Sequence, residues 1–206
     1  MAKHDKKDIG VSTILNPVPV VMVSCAGVNA DNEAERPNIM TVAWAGTVNS
    51  EPPMLSVSIR KSRHSHKLIT ETGEFVVNLV SKSLCRACDY CGVKSGADED
   101  KFKACGLTPV KASCLKYAYA VKEAPVSISC TVRNVIELGS HDMFIAEITA
   151  VTADSYLLDA QGRLCLDDAR LVAYNHGEYF LLGEKTGFFG YSVASEDIIA
   201  KRMGKK

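Results

Sequence analysis

The sequence has no excess charge of either sign: 24 Lys and Arg residues balance 24 Asp and Glu residues over a chain of 206. Without a net basic field there is no general attraction for a polynucleotide, so an anion site must be built locally. No window approaches the ~20 consecutive apolar residues that span a bilayer. The charged segment Met1 to Asp8 is followed by no sustained apolar run of the signal-peptide kind. The expectation is a cytoplasmic protein with neither a nucleic-acid nor a membrane partner. There is no G-x-G-x-x-G behind an early strand and no G-x-x-x-x-G-K-[ST], which removes Rossmann and P-loop nucleotide domains; Gly183, Gly187 and Gly190 have the wrong spacing and context. No G-x-S-x-G elbow is present to support a Ser-His-Asp hydrolase. Repeats, low-complexity tracts and linkers are missing too. A composition of 47% hydrophobic and 23% charged residues therefore reads as one globular domain over residues 1–206. Its core should cover about 17–193, between a charged N-terminal extension and a basic tail, Lys201 to Lys206, that reads as a frayed, solvated end.

Cysteine is not scarce. Eight occur, at positions 25, 85, 88, 91, 105, 114, 130 and 165. In a chain of this length without an export signal the even count does not argue a disulfide framework, and reduced thiols are expected.

Short β-branched runs between turn signals predict strands over Val18 to Val28, Ile39 to Val48, Met54 to Arg60 and Phe75 to Val80. Period two is clear over Val126 to Val135 and Met143 to Val151, and a final strand pair fits Leu171 to Leu182. Helices are predicted over Ser65 to Thr72, ending at Gly73, over Lys82 to Tyr90, ending at Gly92, and over Asp98 to Ala104, with Gly106 behind it. The fold class is mainly β with short helices. A closed or split β-barrel is expected, because closure removes the exposed edges of such a strand set.

Three segments can carry chemistry. Asn38-Ile39-Met40-Thr41-Val42-Ala43-Trp44 sets small residues among bulky ones, so a planar ligand can approach the main chain; a plain buried strand is the other reading. Arg60-Lys61-Ser62-Arg63-His64-Ser65-His66-Lys67 concentrates cations and hydroxyls at a helix start, which suits a phosphate. A basic loop with Ser62 or Ser65 as N-cap would look the same, and His64 with His66 lacks a third metal donor nearby. Cys85, Cys88 and Cys91 have C-x-x-C-x-x-C spacing. On a helix, however, Leu84, Cys88 and Cys91 share a face, so Cys88 and Cys91 read first as core residues, with a cluster, a metal or a redox-active Cys88–Cys91 pair as the other readings. The loop Gly92 to Gly96 is either a lid, with Lys101 as a further cation, or a surface connection.

Together, Asn38 to Trp44, Asp89-Tyr90-Cys91-Gly92-Val93, Asp100-Lys101-Phe102, Gly139-Ser140-His141-Asp142-Met143-Phe144 and Tyr174-Asn175-His176-Gly177-Glu178-Tyr179-Phe180 resemble the flavin reductase-like family with the FMN-binding split barrel. The flavoredoxin-like branch is the nearest. The resemblance covers roughly Pro17 to Val193. It implies a homodimer with one FMN per subunit at or near the interface. Asn38, Met40, Thr41, Val42 and Ala43 become ring and ribityl neighbours. Ser58, Arg60, His64 and Ser65 take the polar and phosphate side, with Cys91 and Lys101 as further contacts. His141 and His176 become candidates at the open flavin face. It also implies electron transfer between a donor such as NAD(P)H and free flavin or a small redox protein. A non-enzymatic FMN carrier and a flavin-free dimer that kept the barrel are the alternatives.

Overall fold

The computed structural model describes residues 4–203. Gly204 to Lys206, half of the basic tail, lie outside the described residues. Lys201 and Arg202, by contrast, belong to a short terminal helix, α4 (Glu196–Met203).

One seven-stranded antiparallel sheet forms the body. Its strands are β2 (Val21–Val28), β3 (Ala34–Val42), β4 (Ala45–Ser50), β5 (Pro53–Arg60), β6 (Glu74–Leu79), β9 (Val126–Glu137) and β10 (His141–Ala153), in the spatial order β3-β2-β6-β9-β10-β5-β4. The two edge strands, β3 and β4, are consecutive in the chain and joined only through Ala43 and Trp44. Such an order requires the sheet to curl until its edges meet at that corner. β3 pairs with β2 and β4 with β5, so the barrel closes there without a β3–β4 ladder. Mainly β with short helices, and split: the expected fold class is the one observed.

The barrel interior holds Val23, Cys25, Leu55, Val57, Ile59, Phe75, Cys130 and Phe144. In β5 the alternation is complete, with Leu55, Val57 and Ile59 inward and Ser56, Ser58 and Arg60 outward. β2 is buried on both faces. Its second face, with Met22, is roofed by α2 (Cys85–Val93) and α3 (Lys101–Cys105), whose Cys88, Cys91 and Phe102, with Leu84 just ahead of α2, pack over Ile39. Cys88 and Cys91 are core residues, as one of the two readings had it. Helix α1 (His64–Thr72) connects β5 to β6 and ends at Gly73 with φ 68°, the left-handed cap that glycine adopts freely.

The observed elements depart from the sequence reading at several points, among them Gly92, which lies inside α2 rather than ending it. The first predicted strand divides at Val20, because β1 (Val18–Pro19) pairs with β11 (Val172–Asn175) while β2 pairs with β3 and β6. The second divides at Ala43, where the barrel turns its corner. In β10 the alternation slips between Ile148 and Ala150 at a register shift opposite β9. A small hairpin of β7 (Pro109–Lys111) and β8 (Tyr119–Val121) lay unpredicted in the connection to β9. The C-terminal pair, β11 and β12 (Glu178–Leu181), joins β1 in a separate sheet through a two-residue turn. His176 and Gly177 there have φ 49° and 95°, the mirror-image hairpin turn. Among the described residues no helix is long and apolar enough to cross a membrane.

Candidate functional site

The split corner carries an elongated cleft made of two cavities that share Met40, Arg60 and Arg63. The larger, about 300 Å³, is lined by Asn38, Ser62, His64, Ser65, Lys94, Ser95, Gly96 and Lys101 besides the shared residues. The smaller, about 140 Å³, runs along Thr41 to Trp44 and Ser58 to Arg60, with His141 beside them. Sheet pairing explains that last neighbour: His141 lies directly opposite Arg60 on β5. Arg60, Arg63, Lys94 and Lys101 put four cations on the cleft, and no carboxylate lines either cavity. In a chain of zero formal charge that is a local concentration of positive charge of the kind that suits an anion.

The larger cavity sits against the start of α1. Arg63 is the N-cap residue, with extended backbone, and no side chain caps the helix. Neither Ser62 nor Ser65 therefore plays the capping role that the sequence left open. The first-turn N–H groups and the positive end of the helix dipole face a site that favours negative charge. Ser65 is buried and its hydroxyl accepts a 2.6 Å hydrogen bond from Asn38 Nδ2, which links α1 to β3. Beneath them, burial pushes the Cys25 thiol up to about 12 against the opposing hydrogen bonds from Ser65 and Asn38. Cys25 is thus a neutral floor rather than a nucleophile.

The opposite wall is the loop after α2. Lys101 is buried, and its ammonium donates to the carbonyls of Cys91 and Lys94 at 3.1 Å each. Burial lowers its proton affinity, and Arg63 adds repulsion. Gly96 lies so close to β3 that a Cβ there would fall 1.8 Å from Asn38 Oδ1, and its carbonyl accepts from Arg36 Nη2 at 3.1 Å. His64 is depressed below its ordinary pKa by burial first and then by Arg36, Lys101 and Lys67. Its imidazole can donate from one ring nitrogen and accept at the other. His141 is lowered likewise, by burial and by Arg60.

Behind α1, His66 Nε2 meets Asp142 Oδ2 at 2.7 Å, and Lys61 Nζ lies 3.4 Å from Oδ1 of the same carboxylate. Burial opposes ionisation of Asp142, but the hydrogen bond with His66 and the nearby Lys61 ammonium prevail and hold its carboxyl below the usual range. This pair ties α1 to β10.

The sequence candidates are distributed as follows. Asn38, Met40, Arg60, His64, Ser65 and Lys101 line the larger cavity, and Thr41, Val42, Ala43, Ser58 and His141 the smaller. Val42 sends its side chain into the barrel core, so it presents its main chain. The Thr41 hydroxyl is already donated to the Cys88 carbonyl. Cys91 lines neither cavity; its thiol is buried under the α2–α3 roof. His176 also lines neither, being exposed on the β11–β12 turn, where its N–H donates to Asn16 Oδ1. Lys67 faces solvent and pairs with Glu71 at 3.6 Å. The sequence reading did not single out Lys94 or Trp44 as site residues, and named Ser95 and Gly96 only as loop. The signal for the loop was the glycine pair around Lys94 and Ser95, which marks close backbone approach as readily as flexibility. Among the described residues no three His, Cys, Asp or Glu side chains gather as metal donors, and all eight cysteines are free thiols.

A family model described as flavin reductase like domain matches residues 14–179. Flavoredoxin of Desulfovibrio vulgaris (Miyazaki F) superposes with a TM-score of 0.83 at 34% identity, covering 92% of this chain and 100% of that one. Flavoredoxin from Methanosarcina acetivorans gives 0.79 at 25% identity, again covering 92% and 100%. An uncharacterised protein of Archaeoglobus fulgidus is 37% identical over 118 residues, 57% of this chain; the match spans 66% of that relative, just under two thirds of its length.

Proposed function

Since the chain belongs to the flavin reductase-like family, we propose that the cleft binds FMN and that the protein is an oxidoreductase moving electrons from NAD(P)H to free flavin or a small redox protein. The observation that carries this reading is the lining of the cleft: four cations and the start of α1 around one cavity, the β3 end Thr41 to Trp44 along the other, with no carboxylate in either. One long ligand with a terminal phosphate and a planar ring matches both ends.

FMN, when bound, supplies the hydride and electron chemistry; the protein supplies binding, orientation and electrostatics. Arg60, Arg63, Ser62, Ser65 and the first-turn amides of α1 hold the phosphate, with Lys94 and Lys101 across from them. Asn38, Met40 and Ser58 flank the middle. Thr41 and Val42 pair with β2 on one side only, so with Ala43 they offer backbone N–H and C=O groups on the free side of the split. His141, whose pKa is lowered by burial and by Arg60, donates or accepts at the ring end, whereas Arg60 stabilises any negative charge that develops there. Exposed apolar residues suit a homodimer, namely Val135, Ile136 and Leu138 at the β9–β10 end and Ile14 and Leu15 beside Trp44. Eight free thiols suit the reducing conditions of the cytoplasm.

The likeness to flavoredoxin along nearly the whole chain favours a second reading, in which tightly held FMN serves an electron carrier without steady NAD(P)H turnover. The first test is the visible spectrum of the protein after incubation with FMN and removal of unbound ligand. A stoichiometric flavin spectrum is expected, and a colourless protein refutes both readings. Sustained NAD(P)H consumption with added flavin then selects the reductase, and its absence selects the carrier.

A further inference from the structure

The C-x-x-C-x-x-C run does not act as a unit in the fold. Cys88 turns toward Thr41, with Sγ 3.7 Å from its Oγ1. Cys91 instead faces Cys105 of α3, with the two sulfurs 3.9 Å apart. Neither sulfur has a part in the cleft described above. Their positions in the chain are distinctive, because the residues between them supply Lys94, Ser95, Gly96 and Lys101 to one wall of the larger cavity. That wall is anchored at the same places. Lys101 Nζ bonds to the Cys91 and Lys94 carbonyls, and Tyr90 Oη donates to Glu99 at 2.8 Å.

We propose that Cys91 and Cys105 are a redox dithiol whose oxidation to a disulfide staples α2 to α3 and rigidifies the loop wall of the cleft. The proposal stands on the geometry of the pair and not on which ligand the cleft holds. A disulfide needs the sulfurs at ~2.0 Å, so the present gap must close by about 2 Å, within reach of side-chain rotation and a small shift of the five-residue helix α3.

The oxidant class is a peroxide. Cys105 is the more exposed of the two and reacts first: its sulfur attacks one peroxide oxygen, an S–O bond forms, the O–O bond breaks and one water leaves. The Cys91 sulfur then attacks the resulting sulfenic acid. The S–S bond forms, the S–O bond breaks, and the departing hydroxide takes the Cys91 proton as a second water. Two thiols lose two electrons and two protons, and one peroxide becomes two waters. Burial holds both thiols above their ordinary range, Cys91 at about 12. The pair therefore oxidises slowly, and its selectivity comes from proximity rather than from a low-pKa thiolate.

The experiment treats the intact protein with hydrogen peroxide, alkylates the remaining thiols and maps tryptic peptides without reduction. Hydrogen exchange of residues 94–100 is followed in parallel. The expected result is a Cys91–Cys105 cross-linked peptide, reversed by dithiothreitol, with exchange in 94–100 slowed several-fold. In the Cys105→Ser variant peroxide should leave that exchange unchanged. Three results overturn the proposal: both cysteines still alkylated after Cys114 has been oxidised, a Cys88–Cys91 link in place of the predicted one, or the predicted link with unaltered exchange. Because the readout needs no flavin, a protein that fails to bind FMN still tests it.

Discussion

Replacing Gly96 by alanine should damage the cleft through one identifiable neighbour. The new methyl carbon would lie 1.8 Å from Asn38 Oδ1 and 2.6 Å from its Cγ, both impossible contacts. Asn38 cannot swing aside at no cost, because it is buried and its Nδ2 donates to the Ser65 hydroxyl at 2.6 Å. Breaking that bond and leaving a buried amide without a partner costs about 1–3 kcal/mol. For a domain of this size that lowers the Tm by roughly 2–12 °C. Since Asn38 and Ser65 both line the larger cavity, FMN affinity should fall as well, by at least about tenfold where the loss reaches ~1.4 kcal/mol. The diagnostic assay is a double-mutant cycle by urea unfolding. Asn38→Ala removes the atoms that the new methyl would strike, so Gly96→Ala should cost close to nothing in that background, with a coupling of about 1–3 kcal/mol between the sites. If Gly96→Ala costs the same in both backgrounds, the clash with Asn38 is refuted as its mechanism.

Arg60→Ala removes a charge-assisted contact from both cavities and should raise the FMN Kd by roughly 10- to 150-fold. Lys67→Ala, at a solvent-facing residue paired with Glu71, should leave it within about twofold in the same fluorescence titration; equal losses would displace the phosphate from the α1 start. Asp142 has a carboxyl held below its usual range, so its contribution to stability is present above the unfolded value of about 3.9 and is lost as pH falls through the lower folded value. Asp142→Asn should accordingly be less stable than wild type at pH 7, with the gap closing below about pH 4 in thermal melts; a gap that persists undiminished in acid refutes the ionic origin. His141→Gln should slow NAD(P)H-dependent flavin reduction by about fivefold, the worth of one hydrogen bond of ~1 kcal/mol at the ring end. His176→Gln should leave the rate unchanged, and the reverse pattern would place the ring elsewhere.

Much of the fold is legible in the residues alone. The alternation Leu55, Val57, Ile59 against Ser56, Ser58, Arg60 is visible in the sequence and survives because β5 has one face in the barrel and one in the cleft. The helix stops at Gly73 and Gly106 were legible for a similar reason, since the left-handed cap is a local requirement. The break at Ala43 and Trp44 was not legible. Ile39 to Val48 carries no Pro, Asn or Asp that would mark a turn, and only the closure of the whole sheet forces a corner there. Nor was the early start of β3: Pro37 argues against a strand, but it is tolerated because β3 is an edge. Cys91 and His176 fell within motifs carried by resemblance, and tertiary packing assigns the first to the roof and the second to a turn. Lys94, Ser95 and Gly96 were read as a lid or a surface connection, since nothing local shows that Gly96 is pressed against Asn38 from 58 positions earlier in the chain.

The location of the cleft follows from the strand order. A sheet that begins with β3 and ends with β4 must bring its two free edges to one corner, and there the main chain of Thr41 to Ala43 lacks a ladder partner on one side, whereas the Trp44 carbonyl accepts from the Ser58 N–H at 2.9 Å. Unpaired backbone groups at such an edge are costly if buried and hazardous if exposed. A flat ligand with acceptors and donors along its rim satisfies those groups where a further strand could not fit. β5 leaves the same corner and runs directly into α1, so the N-terminal amides of α1 and the cations Arg60 and Arg63 arrive one cavity away. The β2–β3 side meanwhile carries α2 and α3, and the chain between and into them delivers Lys94 and Lys101 to the far wall. Four cations thus converge in a chain with no net charge because separate connections end at the split: the basic segment Arg60 to Lys67 shows two of them in the sequence, and only the fold brings Lys94 and Lys101 to face them.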